Sequence, residues 1–208
     1  MEFVENLDNY EFLFKYIIVG TTNIGKTYLF ERIKLNNNYF EFKNLQKEIE
    51  PTIAVDFKIF CLKYKKKTIK IQFWDSTGNR QRFQNHATRY IRGCSAILIC
   101  YDAYNRNSFN DAITLYNELK SVYNYSIFVL IRNKYDLKIN QENNDNDIDN
   151  DYVPDEEALE FADKNNIIFT HASSFEKYET GIKELLSFIS IKYLERLISE
   201  GEQNEKAL

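Results

Sequence analysis

The stretch Gly20-Thr21-Thr22-Asn23-Ile24-Gly25-Lys26-Thr27 limits what this chain can fold into more than any other. It fits the pattern GxxxxGK[ST] in full and follows directly on an apolar run, Phe14 to Val19, that reads as a buried strand. A helix is predicted after it, from Lys26 to Leu35, with Leu29, Phe30 and Ile33 on one side. A strand, a glycine turn and a helix in that order make a cradle for phosphate. Gly20 and Gly25 let the backbone curl so that several N–H groups converge on phosphate oxygens. The helix adds the positive end of its dipole. Lys26 is then placed to neutralise β- and γ-phosphates, and the Thr27 hydroxyl to ligate Mg²⁺.

The rest of the chain repeats the strand-then-helix rhythm. Ile53 to Leu62 and Thr68 to Trp74 read as strands joined as a hairpin across Tyr64-Lys65-Lys66-Lys67. Ala96 to Tyr101 and Ile127 to Ile131 are fully apolar strands, and Ile167 to Thr170 is a last one. Between them Phe109, Ala112, Ile113 and Tyr116 recur at helical spacing. Ala158, Leu159, Phe161 and Ala162 sit in a short helix, and Ile182, Leu185, Leu186, Ile189, Tyr193 and Leu197 mark a long closing one. Apolar strands alternating with helices imply a mostly parallel sheet covered on both faces. The expectation is an α/β P-loop domain over residues 14–199, with six strands and one antiparallel edge strand from the hairpin. Residues 1–13 would be an extension and 200–208 a short polar tail. Polar insertions are expected near 36–50 and 140–152, read as solvated loop. In such sheets ligands bind beyond the carboxyl ends of the strands, so motifs that follow strands share one site.

Composition narrows the partners. The 208 residues are 44% hydrophobic and 28% charged, as in ordinary globular proteins. A net charge of −4 argues against nucleic acid as the main partner. Glu142, Asp145, Asp147, Asp149, Asp151, Asp155, Glu156 and Glu157 crowd one segment, and without them the chain is mildly basic. Cys61, Cys94 and Cys100 end or flank apolar runs without metal spacing, which reads as buried thiols in a reducing compartment. No signal-peptide pattern and no run of about 18 apolar residues is present, so the expected setting is cytoplasmic. His86 and His171 lack metal-ligand spacing and read as structural.

Two further motifs follow strands. Asn133-Lys134-Tyr135-Asp136 comes after the run at Ile127. A carboxylate such as Asp136 can accept hydrogen bonds from guanine N1–H and the 2-amino group, whereas adenine offers neither donor there. In this place NKxD resembles the guanine-reading motif of small GTPases, and it argues against a P-loop ATPase or kinase. There the Lys134 stem would pack over the base and Asn133 would tie the loop together. Trp74-Asp75-Ser76-Thr77-Gly78 fits DxxG and resembles the γ-phosphate sensor: Asp75 would hold Mg²⁺ through water and the Gly78 N–H would contact the γ-phosphate. Thr52, in Pro51-Thr52-Ile53, would close on Mg²⁺ and γ-phosphate in the GTP state.

The resemblance then becomes more specific. Ile53-Ala54-Val55-Asp56-Phe57 resembles the Rab signature IGVDF, and Lys70 to Asp75 resembles the Rab strand KLQIWD. Arg82-Phe83, Tyr90-Ile91-Arg92-Gly93, Tyr101-Asp102 and Ser108-Phe109 also resemble Rab segments. The likeness runs from about Lys15 to Arg196. It implies the G-domain fold, GTP/GDP and Mg²⁺ as cofactors, and a switch in vesicle and protein transport. It also implies an exchange factor, a GTPase-activating protein and switch-region effectors as partners. A monomer is expected. The nucleotide-binding residues it carries over are Gly20, Thr22, Asn23, Ile24, Gly25, Lys26, Thr27, Tyr28, Thr52, Asp75, Gly78, Asn133, Lys134, Asp136, His171, Ala172 and Ser173, with Thr27, Thr52 and Asp75 as the metal set.

The departures from the family pattern fall mostly near the reacting end. The family places a glutamine after DxxG to orient the attacking water. Here Asn79 follows Gly78, then Arg80-Gln81-Arg82-Phe83. Counting from Gly78 puts Asn79 in the catalytic position, counting back from Arg82-Phe83 puts Arg80 there, and a less economical alignment offers Gln81. Asn79 is one methylene short, which matters because near-attack geometry is demanding. Slow hydrolysis is therefore expected, with a GTP-binding scaffold that does not hydrolyse as the alternative. Thr22-Asn23 stands where Rabs usually have Ser-Gly. Thr170-His171-Ala172-Ser173 aligns with T-S-A-K, so Ala172 would donate its N–H to guanine O6 while Ser173 replaces the Lys. The linker from Asn36 to Pro51 is longer than usual, and no prenylation cysteine follows Cys100. Association with endomembranes would then be peripheral, through partners.

Overall fold

The computed structural model describes residues 2–4, 9–31, 52, 55–134, 151–172 and 181–206, with the backbone alone at 2–4 and 201–206. In chain order its elements are β1 (Glu2–Val4), β2 (Phe12–Val19), α1 (Lys26–Glu31), β3 (Val55–Tyr64), β4 (Lys67–Ser76), α2 (Arg80–Ile91), β5 (Ala96–Asp102), α3 (Arg106–Lys120), β6 (Ile127–Asn133), α4 (Asp155–Asn165), β7 (Ile168–His171) and α5 (Ile182–Lys206).

The strands form one sheet in the order β1-β3-β4-β2-β5-β6-β7. β4, β2, β5, β6 and β7 are parallel, and β3 runs antiparallel to β4. This is the expected six-stranded sheet with one antiparallel strand. A short β1 is added outside β3, pairing Glu2–Val4 with Lys63–Cys61, so the expected edge strand is itself flanked. The first core strand also begins at Phe12, two residues before the expected domain start.

The period of two along β2 explains why helices cover both faces. Phe14, Tyr16 and Ile18 face a layer built with Leu29 and Phe30 of α1 and with Ile182, Leu186 and Ile189 of α5. Ile17 and Val19 face the other layer, with Phe83, Phe109, Ala112 and Ala158 of α2, α3 and α4. β5 and β6 are buried along their whole length, as their unbroken apolar runs require.

α2 was not among the expected helices. Its signals are short: Asn79 as N-cap, then Phe83, Ala87, Tyr90 and Ile91 on one side. All three cysteines are buried free thiols, and burial pushes Cys94 and Cys100 up to about 12. Among the described residues no helix is long and apolar enough to cross a membrane.

Candidate functional site

The sheet order reverses at β2: the chain leaves it first toward β4 and later toward β5. That switch point is where an open α/β sheet leaves a crevice. The loop Gly20–Gly25 fills it. Gly20 has φ +140°, and a Cβ there would collide with the Cys100 carbonyl oxygen, so only glycine fits against β5. Asn23 stands at φ 63°, a left-handed conformation that asparagine tolerates better than most side chains. Lys26, 5% exposed, folds back so that Nζ donates to the Thr21 carbonyl at 2.7 Å. Burial pulls its pKa down, while the Asp75 carboxylate pushes it up. Tyr28 is half-buried on α1, and Thr22 is exposed.

The three expected metal residues converge. Asp75 Oδ2 accepts from Thr27 Oγ1 at 2.7 Å and from Thr52 Oγ1 at 3.1 Å, and the two hydroxyl oxygens are 3.1 Å apart. They come from α1, the segment before β3, and the end of β4. Asp75 is fully buried, and its Oδ1 has no hydrogen-bond partner among the described residues. Burial raises its pKa above the usual carboxylate range, against the Thr27 bond and the Lys26 charge, which lower it. Two hydroxyls and a carboxylate with an unused oxygen are hard donors of the kind Mg²⁺ takes, so the residues fit that ion. Gly78 lies against the phosphate loop: a Cβ on it would sit 2.5 Å from Thr22 N and 2.6 Å from Thr22 Cα. Any larger residue there would push the two loops apart.

The residues after Gly78 turn away from this cluster. Asn79 Oδ1 accepts from Arg82 N at 2.9 Å, so its amide caps α2. Arg80 reaches toward α3 instead, with Nη2 2.9 Å from Glu118 Oε1 and Nη1 3.5 Å from Asp111 Oδ1. Gln81 is exposed on the first turn of α2. The structure thus brings Thr27, Thr52, Asp75 and Gly78 together, and sets Asn79 and Arg80 into other bonds. An open cleft beside them is lined by Gly20, Thr77, Gly78, Arg80, Phe83 and Leu115.

At the other end of the crevice, Asn133 is fully buried, and its Nδ2 donates to the Ile24 carbonyl at 2.6 Å. This bond ties the end of β6 to the phosphate loop. Lys134, at φ 61°, places Nζ 2.5 Å from Asp102 Oδ2 at the end of β5. Asp136 and Ser173 lie outside the described residues. The Ala172 N–H, which the resemblance would aim at guanine O6, donates to the Arg132 carbonyl at 2.8 Å. The parallel pairing of β6 with β7 continues one residue past the last strand residue and takes up that donor.

Residues not foreseen complete this end. Arg132, 0% exposed, pairs with Asp155, and its Nη2 donates to Tyr152 Oη at 2.9 Å. His171 Nε2 lies 2.9 Å from the same Asp155 Oδ1. Tyr152 therefore belongs to the body of the domain rather than to the expected insertion near 140–152. The available signal was an arginine at the end of the wholly apolar run Ile127 to Ile131, directly before Asn133. Such a position is buried on both faces, and a charge there must find a partner.

Residues 15–193 match the Ras family. "Ras-related protein RABD2a" of Arabidopsis thaliana is 31% identical over 94% of this chain and 87% of its own length. "Ras-related protein Rab-11C" of Dictyostelium discoideum is 33% identical over 85% of this chain and 75% of its own. "GTP-binding protein YPTM2" of Zea mays is 30% identical over 92% and 85%. With the phosphate loop at the sheet's switch point and the Thr27–Thr52–Asp75 cluster beside it, the chain belongs to the Ras family of small GTPases, in its Rab-type branch.

Proposed function

We propose that this chain is a GTP/GDP-cycling switch in vesicle and protein transport, with slow intrinsic hydrolysis. The observation that carries this reading is the meeting of Thr27, Thr52 and Asp75 within 3.1 Å beside Gly78. Thr52 lies 23 positions from Asp75 in sequence and precedes a strand by a short segment. A hydroxyl held that way is a contact the chain can make or release without disturbing the sheet. This is what a nucleotide-dependent switch requires.

The assigned roles follow from position. Backbone N–H groups of the loop closed by Gly20 and Gly25 bind phosphate oxygens, and Lys26 neutralises them. Thr27, Thr52 and Asp75 would hold Mg²⁺, and the ion would supply positive charge beside the phosphates. Asn133 and Lys134 brace the loop in which Asp136 reads guanine. Ala172 contributes a backbone brace through Arg132, and His171 a side-chain one through Asp155. Phe57 is 52% exposed and stacks on Trp74 at 5.3 Å between ring centroids, on the strands that follow Thr52. An exposed aromatic ring backed by a partly buried one beside a switch suits an effector. Exchange factor and activating protein would act on the same elements.

The Asn79 cap favours a second reading, a GTP-binding scaffold that does not hydrolyse. An amide committed to Arg82 N is not aimed at water, and Arg80 is held by α3. Single-turnover hydrolysis with purified protein separates the two. A rate near the family's intrinsic value of about 10⁻⁴ s⁻¹ or below it, but measurable, supports the slow switch, and none supports the scaffold. Equal affinity for ATP and GTP defeats both.

A further inference from the structure

We infer that Asp155 is a positioning residue for the loops that would read the base, setting nucleotide residence time through Arg132 and His171 without touching the ligand. The inference rests on the guanine-nucleotide reading above. Arg132 immediately precedes Asn133, and His171 immediately precedes Ala172. The two residues are register partners across β6 and β7. Each therefore adjoins a residue assigned above to the base side, Asn133 or Ala172, and Asp155 Oδ1 is bonded to both Arg132 and His171.

The carboxylate comes from an element fixed by other bonds. Val153, fully buried, donates its N–H to the Ala103 carbonyl at 2.9 Å. The Tyr152 carbonyl accepts from Arg106 Nη2 at 2.8 Å, and Arg106 Nη1 lies 2.6 Å from both Glu157 oxygens. The Tyr152 ring packs 5.3 Å from that of Tyr104 and 5.2 Å from the Arg132 guanidinium. Asp155 thus enters on a start of α4 already held against the loop after β5. That same loop region bears Asp102, the partner of Lys134. The base-side loops are fastened to one neighbour from two sides. Removing the carboxylate takes an ion-paired hydrogen bond from a buried guanidinium, and the change falls at the residue next to Asn133. Because α4 keeps its other anchors, the fold is expected to survive.

The test uses the full chain loaded with the fluorescent nucleotide mant-GDP and chased with excess GDP. Asp155→Asn keeps the shape and removes the charge. It should speed release about tenfold, a change of about 1.4 kcal/mol. The acceleration should be the same with Mg²⁺ and after chelation, because the metal cluster is untouched and distant effects add. Competition between GDP and inosine diphosphate, which lacks the 2-amino group, should show a reduced preference for GDP. His171→Ala should speed release about threefold, while His171→Gln, which keeps a nitrogen near Nε2, stays within twofold of wild type. Release from Asp155→Asn within twofold of wild type overturns the inference. So does faster release with unchanged preference for GDP, which marks a merely structural role. If Asp155→Asn is not recovered folded, the half-exposed His171 decides: His171→Ala indistinguishable from His171→Gln overturns it. A wild-type chain that does not retain mant-GDP overturns the function proposed above, and this inference with it.

Discussion

The two ends of the crevice solve the same task by different means. At the phosphate end, backbone does most of the holding. Gly20 and Gly78 allow close approach, Gly25 takes a positive φ, and one short triangle of Thr27, Thr52 and Asp75 supplies the metal-side side chains. At the base end, side chains do the holding over longer reach: Asn133 to Ile24, Lys134 to Asp102, Asp155 to Arg132 and His171. The phosphate end departs from the family pattern at Thr22, Asn23 and the segment after Gly78, while its glycines at 20, 25 and 78 are kept. The base end differs from it in sequence at His171 and Ser173, and beside Asn133 and Lys134 it is held by Arg132 and Asp155, which no motif names. A backbone site tolerates little change because a Cβ has nowhere to go. A side-chain network can be replaced by another that reaches the same loops.

The largest expected effect lies at the base end. Asp136→Ala should remove the preference for GTP over ATP, a loss of about 10⁴-fold, since the two guanine donors lose their acceptor. Competition binding measures it, and an unchanged preference would move base choice away from NKxD.

The phosphate end is tested next. Chelating Mg²⁺ should speed GDP release from the wild type. Thr27→Ala should raise release by about 10-fold in Mg²⁺ and abolish most of the response to chelator, as expected for a charge-assisted contact. A variant that still responds fully would show that Thr27 is not in the metal set.

Between the ends stands the Asn79 segment. Deleting Asn79 and changing Arg80 to Gln restores the family arrangement and removes the α2 cap seen here. The single-turnover hydrolysis rate should rise about tenfold. A wild-type rate equal to or above that of the variant sinks the idea of slow hydrolysis, and points to Gln81.

The smallest effect is expected for the acidic segment. Removing residues 140–150 while keeping Tyr152 should leave GDP release within about twofold, because loop length costs little. Extending the deletion through Tyr152 should speed release, since Tyr152 bonds Arg132. Equal behaviour of the two deletions would erase the distinction between insertion and brace.

What the amino-acid order determined by itself was local or periodic. The glycine loop between Val19 and Lys26 implied its own shape, because each backbone turn there depends on residues within a few positions. Uninterrupted apolar runs such as Ala96 to Tyr101 implied strands buried on both faces, since no alternation remained to give an outer side. DxxG and NKxD, placed after strands, implied a shared site through the general rule for parallel sheets. Tertiary structure alone decided the rest. Whether the Asn79 amide faces a phosphate or caps a helix depends on where α2 begins, and three residues of sequence allow either. Whether the Ala172 N–H is free depends on how far β7 pairs with β6, a contact across 40 positions. Arg132 follows an otherwise apolar run and is fully buried. Its ion partner Asp155 stands 23 residues on, near the end of the acidic segment, and a charge in an interior position is satisfied by whatever the fold brings beside it, which spacing along a chain does not encode.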